Sequence, residues 1–217
     1  MKIKICGLCQ RADAELAITL GATHVGIVLA PDSPRCANRR NAAAIAAAAR
    51  GRAEVVLVFR SVDDQGIVAA ADALDVRTVQ VHDADGARLE RLHARGLRAM
   101  AVHRLDAACV ELPRFEPAPC AGSPVLLDGG AGGAGTAFDW RILGDAGPEY
   151  VFVAGGIRPD NIAALLRRRP WGIDVSSGAE ASPGHKDPAR MRALFEAVRA
   201  AAAMPITSVA PTGEKST

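Results

Sequence analysis

The 217 residues contain 49% hydrophobic side chains and a net charge of +2, enough apolar material for one substantial core and too little charge for a nucleic-acid footprint. No apolar run reaches the roughly 18 residues of a membrane span, and the N-terminus lacks a secretory pattern. Five scattered cysteines suit free thiols in a reducing compartment, so the expected location is the cytoplasm.

Strand and helix patterns alternate along the chain. Ile3–Cys6 reads as a first strand and Ala12–Leu20 as a helix, with Gly21 a C-cap signal. His24–Leu29 is a second strand, and the loop Pro31-Asp32-Ser33-Pro34-Arg35 follows it. Asn41–Arg50 is an alanine-rich helix, Glu54–Phe59 a strand and Asp63–Leu74 a helix. Thr78–Val81 is a strand leading to His82, Asp85–Arg95 a helix and Leu97–Val102 a strand. Residues 106–120, with three prolines, predict a short or distorted helix. Pro124–Leu127 is a sixth strand ending in Asp128, and a helix is expected from about Phe138.

Two matching devices come next. Tyr150–Val153 and Gly172–Val175 are short apolar runs that lead straight into small residues. These are Ala154, Gly155 and Gly156 in the first device, and Ser176, Ser177 and Gly178 in the second. Small residues let backbone N–H groups approach an anion, so two such loops side by side predict a phosphate cup. Asp187–Ala203 is the last helix, with Asp187 as its cap and Pro188 in its first turn. After Met204 the chain turns polar and loses its periodicity, so residues 205–217 are expected to be a disordered tail.

Eight strand–helix units predict an α/β fold: a single-domain (β/α)8 TIM barrel over residues 1–204. An open doubly wound sheet is the alternative. It usually carries its phosphate loop after the first strand, and Cys6-Gly7-Leu8-Cys9 is no dinucleotide fingerprint. In barrels the phosphate cup commonly follows strands seven and eight, where the two small-residue loops fall.

Strand ends in a barrel converge on one mouth, and polar groups there need a reason. The ends offer Cys6, Arg35 from the second loop, Gln80, His82, Asp128 and Asp174. Cys6 and Asp128 suit an acid–base pair. A thiolate is soft enough to take a proton from carbon, and a carboxylic acid in a partly apolar mouth can deliver one to a leaving oxygen. That chemistry is isomerisation, and it needs neither metal nor redox cofactor. Cys6-x-x-Cys9 has no second such pair to complete a zinc site, and the five histidines show no ligand spacing. The glycine-rich run 129–135 reads as a mobile lid over the mouth, with a passive linker as the alternative.

The motifs together resemble the phosphoribosylanthranilate isomerase family over about residues 2 to 200. The resemblance rests on K-I-C-G-L at 4–8, S-P-R at 33–35, Q-V-H at 80–82, L-L-D at 126–128 and G-G-A-G-T-A-F-D-W at 132–140. It continues in A-G-G-I-R-P-D-N at 154–161, D-V-S-S-G-A-E at 174–180 and P-G-H-K-D at 183–187. It implies a (β/α)8 barrel, a cofactor-independent Amadori rearrangement in tryptophan biosynthesis, a small-molecule substrate, and a monomer or homodimer. By resemblance Cys6 is the general base and Asp128 the general acid. Arg35 holds the anthranilate carboxylate, and Asp174 lines the site. Gly155, Gly156, Ser177 and Gly178 match the phosphate cup. The chain departs from the family pattern at Asp83 after Gln-x-His, at Arg60 after V-F, at Cys9 beside Cys6, and in the short segment between Asp128 and Gly132. A non-catalytic or substrate-shifted sugar-phosphate barrel is the competing reading, and a sugar-phosphate epimerase is a third. A Cys6–Cys9 disulfide would silence the base reversibly.

Overall fold

A computed structural model of the chain describes residues 1–82, 84–105, 108–129 and 137–203. Eight parallel strands close into a barrel in sequence order. They are β1 (Lys2–Ile5), β2 (His24–Val28), β3 (Glu54–Phe59), β4 (Thr78–Val81), β5 (Arg98–Leu105), β6 (Val125–Gly129), β7 (Val151–Ala154) and β8 (Gly172–Val175). Closure comes from the pairing of β1 with β8, which sets Lys4 opposite Asp174.

Side chains alternate faces along a strand, and here the alternation has one parity around most of the barrel. Odd-numbered strand residues such as Ile5, Val25, Leu57, Val79, Leu127, Val153 and Ile173 join one large buried cluster together with residues of the helices. Even-numbered residues form separate interior clusters: Cys6, Val28 and Val58 with Ala30 on one side, and Met100, Leu126, Phe152 and Ala154 on the other. Each fully buried Ile, Val or Leu of the outer layer contributes about 1.5–3 kcal/mol, so the layer between strands and helices carries most of the stability. The even face is left for chemistry.

The helices are α1 (Arg11–Leu20), α2 (Arg39–Ala49), α3 (Asp64–Leu74), α4 (Gly86–Ala94), α5 (Ile162–Leu166) and α6 (Pro188–Ala203). Side chains satisfy the orphan amides at several N-termini. Asn38, Asp63 and Asp85 accept from Asn41, Gly66 and Arg88 at 2.9, 2.7 and 2.8 Å, and Asp187 accepts from Ala189 at 2.8 Å. Gly21 ends α1 in the left-handed region, at φ 117°. The caps expected at Gly21 and Asp187 are therefore present.

Three expectations differ from the fold. The helix expected from Phe138 is one 3-10 turn, Trp140–Leu143, ended by Gly144 at φ 67°. Residues 108–120 hold no helix, because Pro113, Pro117 and Pro119 remove amide donors across the segment. Between β8 and α6 lie a 3-10 turn (Ser177–Ala179) and an antiparallel hairpin of β9 (Glu180–Ser182) and β10 (His185–Lys186), which sequence periodicity did not indicate. The Pro183-Gly184 pair at its tip was the available signal. Asp83, most of the glycine-rich run and residues 205–217 lie outside the described residues.

Candidate active site

The C-terminal ends of the strands surround a cleft lined by Cys6, Asp128, Asp174, Gln80, His82, Arg35, Gly155, Gly156 and Ser177, among others. Of the eight residues expected to act on or bind the substrate, all but Gly178 are in this lining. Gly178 stands where the loops after β7 and β8 touch: a Cβ there would meet the Ile157 carbonyl oxygen at 1.9 Å, so glycine alone permits the approach. Gly155 and Gly156 both have positive φ, 92° and 62°. Asn161 pins their loop by donating to the Gly156 carbonyl at 2.8 Å and accepting from the Arg158 amide at 2.8 Å. The A-G-G-I-R-P-D-N block thus combines a wall of the cleft with its own fastening.

The cleft floor is a buried ion pair that sequence reading overlooked. Lys4 lies two residues before Cys6, hence on the same inward face, and it is fully buried. Its Nζ donates to Asp174 Oδ2 at 2.7 Å and to Gln80 Oε1 at 2.9 Å. Burial alone would lower the Lys4 pKa; the charges of Asp174 and Cys6 override it and hold Lys4 above its ordinary value. A lysine between Ile3 and Ile5, in step with Cys6, was the signal. Asp174 Oδ1 and Ser176 Oγ are buried at the cleft without a hydrogen-bond partner among the described residues.

Removing one member of such a pair leaves the other buried and uncompensated, typically at a cost of ~3 kcal/mol or more. Lys4→Met is therefore expected to lower the urea midpoint strongly. Lys4→Met/Asp174→Asn, which leaves no charge behind, is expected to recover much of the loss. Equal midpoints for the single and double variants would show that the pair is not the source.

Cys6 is 8% exposed, and its Sγ sits against β2. A Cβ on Gly26 would meet Cys6 Sγ at 2.7 Å, so the neighbouring strand must carry glycine for the thiol to occupy this place. Burial pushes the Cys6 thiol above its ordinary 9.0; Lys4 and Lys186 pull it back and Asp174 opposes them. Asp128, also 8% exposed, is raised from 3.8 to about 6 by burial first and by the nearby Asp174, against Arg104 and Lys4. A thiol and a carboxyl that each resist ionisation thus share one cleft, a pattern enzymes use to poise proton transfer.

Arg35 is not free-standing. Its Nε and Nη2 grip Glu180 at 2.9 and 2.7 Å, and Lys186 donates to the same carboxylate at 2.8 Å. Burial would raise the Glu180 pKa, but Arg35 and Lys186 outweigh it and hold the carboxylate below its ordinary value. The pairing uses one edge of the guanidinium and leaves Nη1 for a ligand. Glu180 and Lys186 come from the hairpin, so the late segment from D-V-S-S-G-A-E to P-G-H-K-D orients a residue contributed by the second loop.

A closed (β/α)8 barrel with a polar, proton-handling cleft at the C-terminal ends of its strands is the architecture of barrel enzymes. Comparison with known proteins narrows this. The family model described as N-(5'-phosphoribosyl)anthranilate (PRA) isomerase matches residues 3–197, and the chain belongs to that family. The N-(5'-phosphoribosyl)anthranilate isomerase of Pseudomonas fluorescens Pf-5 is 36% identical over 208 residues, covering 92% of this chain and 96% of the relative. That of Mesorhizobium japonicum is 39% identical over 215 residues, with 93% and 96% covered. The crystal structure of the phosphoribosyl anthranilate isomerase from Thermus thermophilus superposes with a TM-score of 0.80 at 31% identity, covering 92% of this chain and 99% of that one. A family member solved with reduced 1-(o-carboxyphenylamino)-1-deoxyribulose 5-phosphate has a TM-score of 0.74 at 25% identity, with 92% and 99% covered. The barrel and the family expected from the sequence both hold. Among the described residues no helix is long and apolar enough to cross a membrane.

Proposed function

We propose that the chain converts N-(5'-phosphoribosyl)anthranilate to 1-(2-carboxyphenylamino)-1-deoxyribulose 5-phosphate, the isomerase step of tryptophan biosynthesis, without a cofactor. The observation that carries this reading is the shared cleft: a buried thiol and a carboxyl with a pKa near 6 beside two small-residue loops.

Backbone amides of Gly155, Gly156 and Ser177 receive the substrate phosphate, and Gly178 lets the two loops meet. The ribose then lies across the floor. Asp128, as the acid, gives its proton to the furanose ring oxygen. The C1'–O bond breaks, and the anthranilate nitrogen lone pair forms the C1'=N bond of a Schiff base. Cys6, as the thiolate, takes the proton from C2'. That electron pair becomes a C1'=C2' bond, and the electrons of C1'=N return to nitrogen. The resulting enolamine becomes the ketose when C1' gains a proton and the C2' hydroxyl loses one. Lys4 favours the thiolate through its charge, and Asp174 presents its unpaired Oδ1 to the sugar. Arg35, oriented by Glu180, takes the anthranilate carboxylate. Five unpaired cysteines support a cytoplasmic location.

The test is the fluorescence of freshly made phosphoribosylanthranilate with the purified chain and no added cofactor. Protein-dependent decay is expected. Folded protein that leaves the signal unchanged would overturn the reading.

A further inference from the structure

The cleft has two ends, and the barrel's topology tells them apart. The small-residue loops follow β7 and β8. In a closed eight-strand barrel β3 lies across the mouth from β7. A substrate anchored by phosphate at β7 and β8 therefore extends its other end toward β3 and the strands beside it, β2 and β4. The inner wall on that side is apolar: Val28, Ala30 and Val58 are buried together beside Cys6. This surface suits a flat aryl ring.

At the rim of that wall stands a second guanidinium. Arg60 directly follows β3 and lines the cleft. Its Nη2 lies 2.9 Å from Asp32 Oδ2, but Asp32 is 66% exposed at its side chain, so the pair is water-screened and readily exchanged. Its Nε is buried without a hydrogen-bond partner among the described residues. A buried N–H donor of a cation, left unmatched in a cleft, calls for an acceptor. Arg35, from the adjacent strand's loop, has one edge occupied by Glu180. Asp32 and Arg35 belong to the same loop, so the two guanidinium groups flank one region.

We propose that Arg60 is a specificity-determining residue which shares the substrate's aryl carboxylate with Arg35. One carboxylate oxygen meets the free Nη1 edge of Arg35. The other meets Arg60, which gives up its exposed partner Asp32. Two cations at the aryl end select for an ortho-carboxylated ring, while the reacting carbons remain with Cys6 and Asp128. This inference rests on the substrate named above and adds to it a residue that discriminates between substrates.

The experiment compares two substrates on the full chain: phosphoribosylanthranilate and the carboxylate-free ribotide of aniline. Arg60→Gln is expected to raise KM for the carboxylated substrate about tenfold, the worth of one charge-assisted hydrogen bond, with little change in kcat. The same variant is expected to leave KM for the aniline ribotide unchanged. Arg60→Lys, which keeps the charge and loses the fork, should fall between. An unchanged KM for the carboxylated substrate, or equal increases for both substrates, would overturn the proposal and leave the isomerase reading standing. Wild-type protein that turns over neither substrate would sink the isomerase reading and this inference with it.

Discussion

Cys6→Ala is expected to fold normally and to lose ~10²–10⁴-fold in kcat, the usual contribution of a positioned proton-transfer group. The barrel should tolerate the change, because the lost sulfur leaves space at the edge of an existing cleft rather than in the packed layer under the helices. The chemistry should not tolerate it. No other thiol lines the cleft, and Asp174 beside it is already held by Lys4 through Oδ2. The measurement is single-turnover fluorescence decay, with circular dichroism to establish folding. A kcat within threefold of wild type would remove Cys6 from the mechanism.

The same assignment sets the pH profile. Under the proposed mechanism productive enzyme needs the Asp128 acid and the Cys6 thiolate together. The carboxyl titrates at about 6 and burial holds the thiol above 9.0, so the productive form is the minor partner of the neutral-pH state, and its share is constant between the two values. The profile of kcat/KM should rise as pH increases through about 6 and fall only in the alkaline range.

Asp128→Asn is expected to pull activity and stability in opposite directions. Turnover should fall by a similar ~10²–10⁴-fold, because an amide cannot protonate the ring oxygen. Stability should rise. The carboxyl pKa is raised from 3.8 to about 6, so the folded protein holds this proton more tightly than the unfolded chain does. Below pH 3.8 the group is protonated in both states and costs nothing. As pH rises from 3.8 to about 6 the unfolded chain ionises first, and the folded state pays a growing penalty that is complete above that window. Two units correspond to about 3 kcal/mol, an upper figure for what the substitution relieves. Urea midpoints should show little gain at pH values near 4 and the full gain near 8. A gain of the same size at both would point to packing rather than ionisation. A carboxyl that destabilises its own fold is the expected cost of keeping the proposed acid protonated near neutrality.

Much of this molecule was legible in the order of its residues. The strands could be read because each is a short apolar run between helix-forming segments. Cys6, Asp128 and Asp174 could be read because polar groups at the ends of such runs have few structural reasons to be there. The paired small-residue loops were legible for the same local reason. Lys4 was harder, since a lysine in a four-residue strand looks like an edge residue until the barrel closes and Asp174 and Gln80 are brought to it from 170 and 76 residues away. Gly26 gave no sign at all. Its need is for the volume of a sulfur atom on the neighbouring strand, and no local pattern encodes that. The helix expected from Phe138 failed because helix-forming composition near Trp140 was outweighed by Gly144, Gly147 and Pro148 close behind it.

By itself the sequence determined what depends on near neighbours: strand and helix periodicity, the small residues of the two loops, the helix caps, and the family to which the chain belongs. Tertiary structure alone decided what depends on distant partners. It set which face of each strand looks inward, which charges neutralise one another, and which groups remain without a partner. Pairing energies and desolvation act through space, so the shifted pKa of Asp128, the grip of Glu180 on Arg35 and the position of Arg60 across from β7 exist only once the barrel has closed.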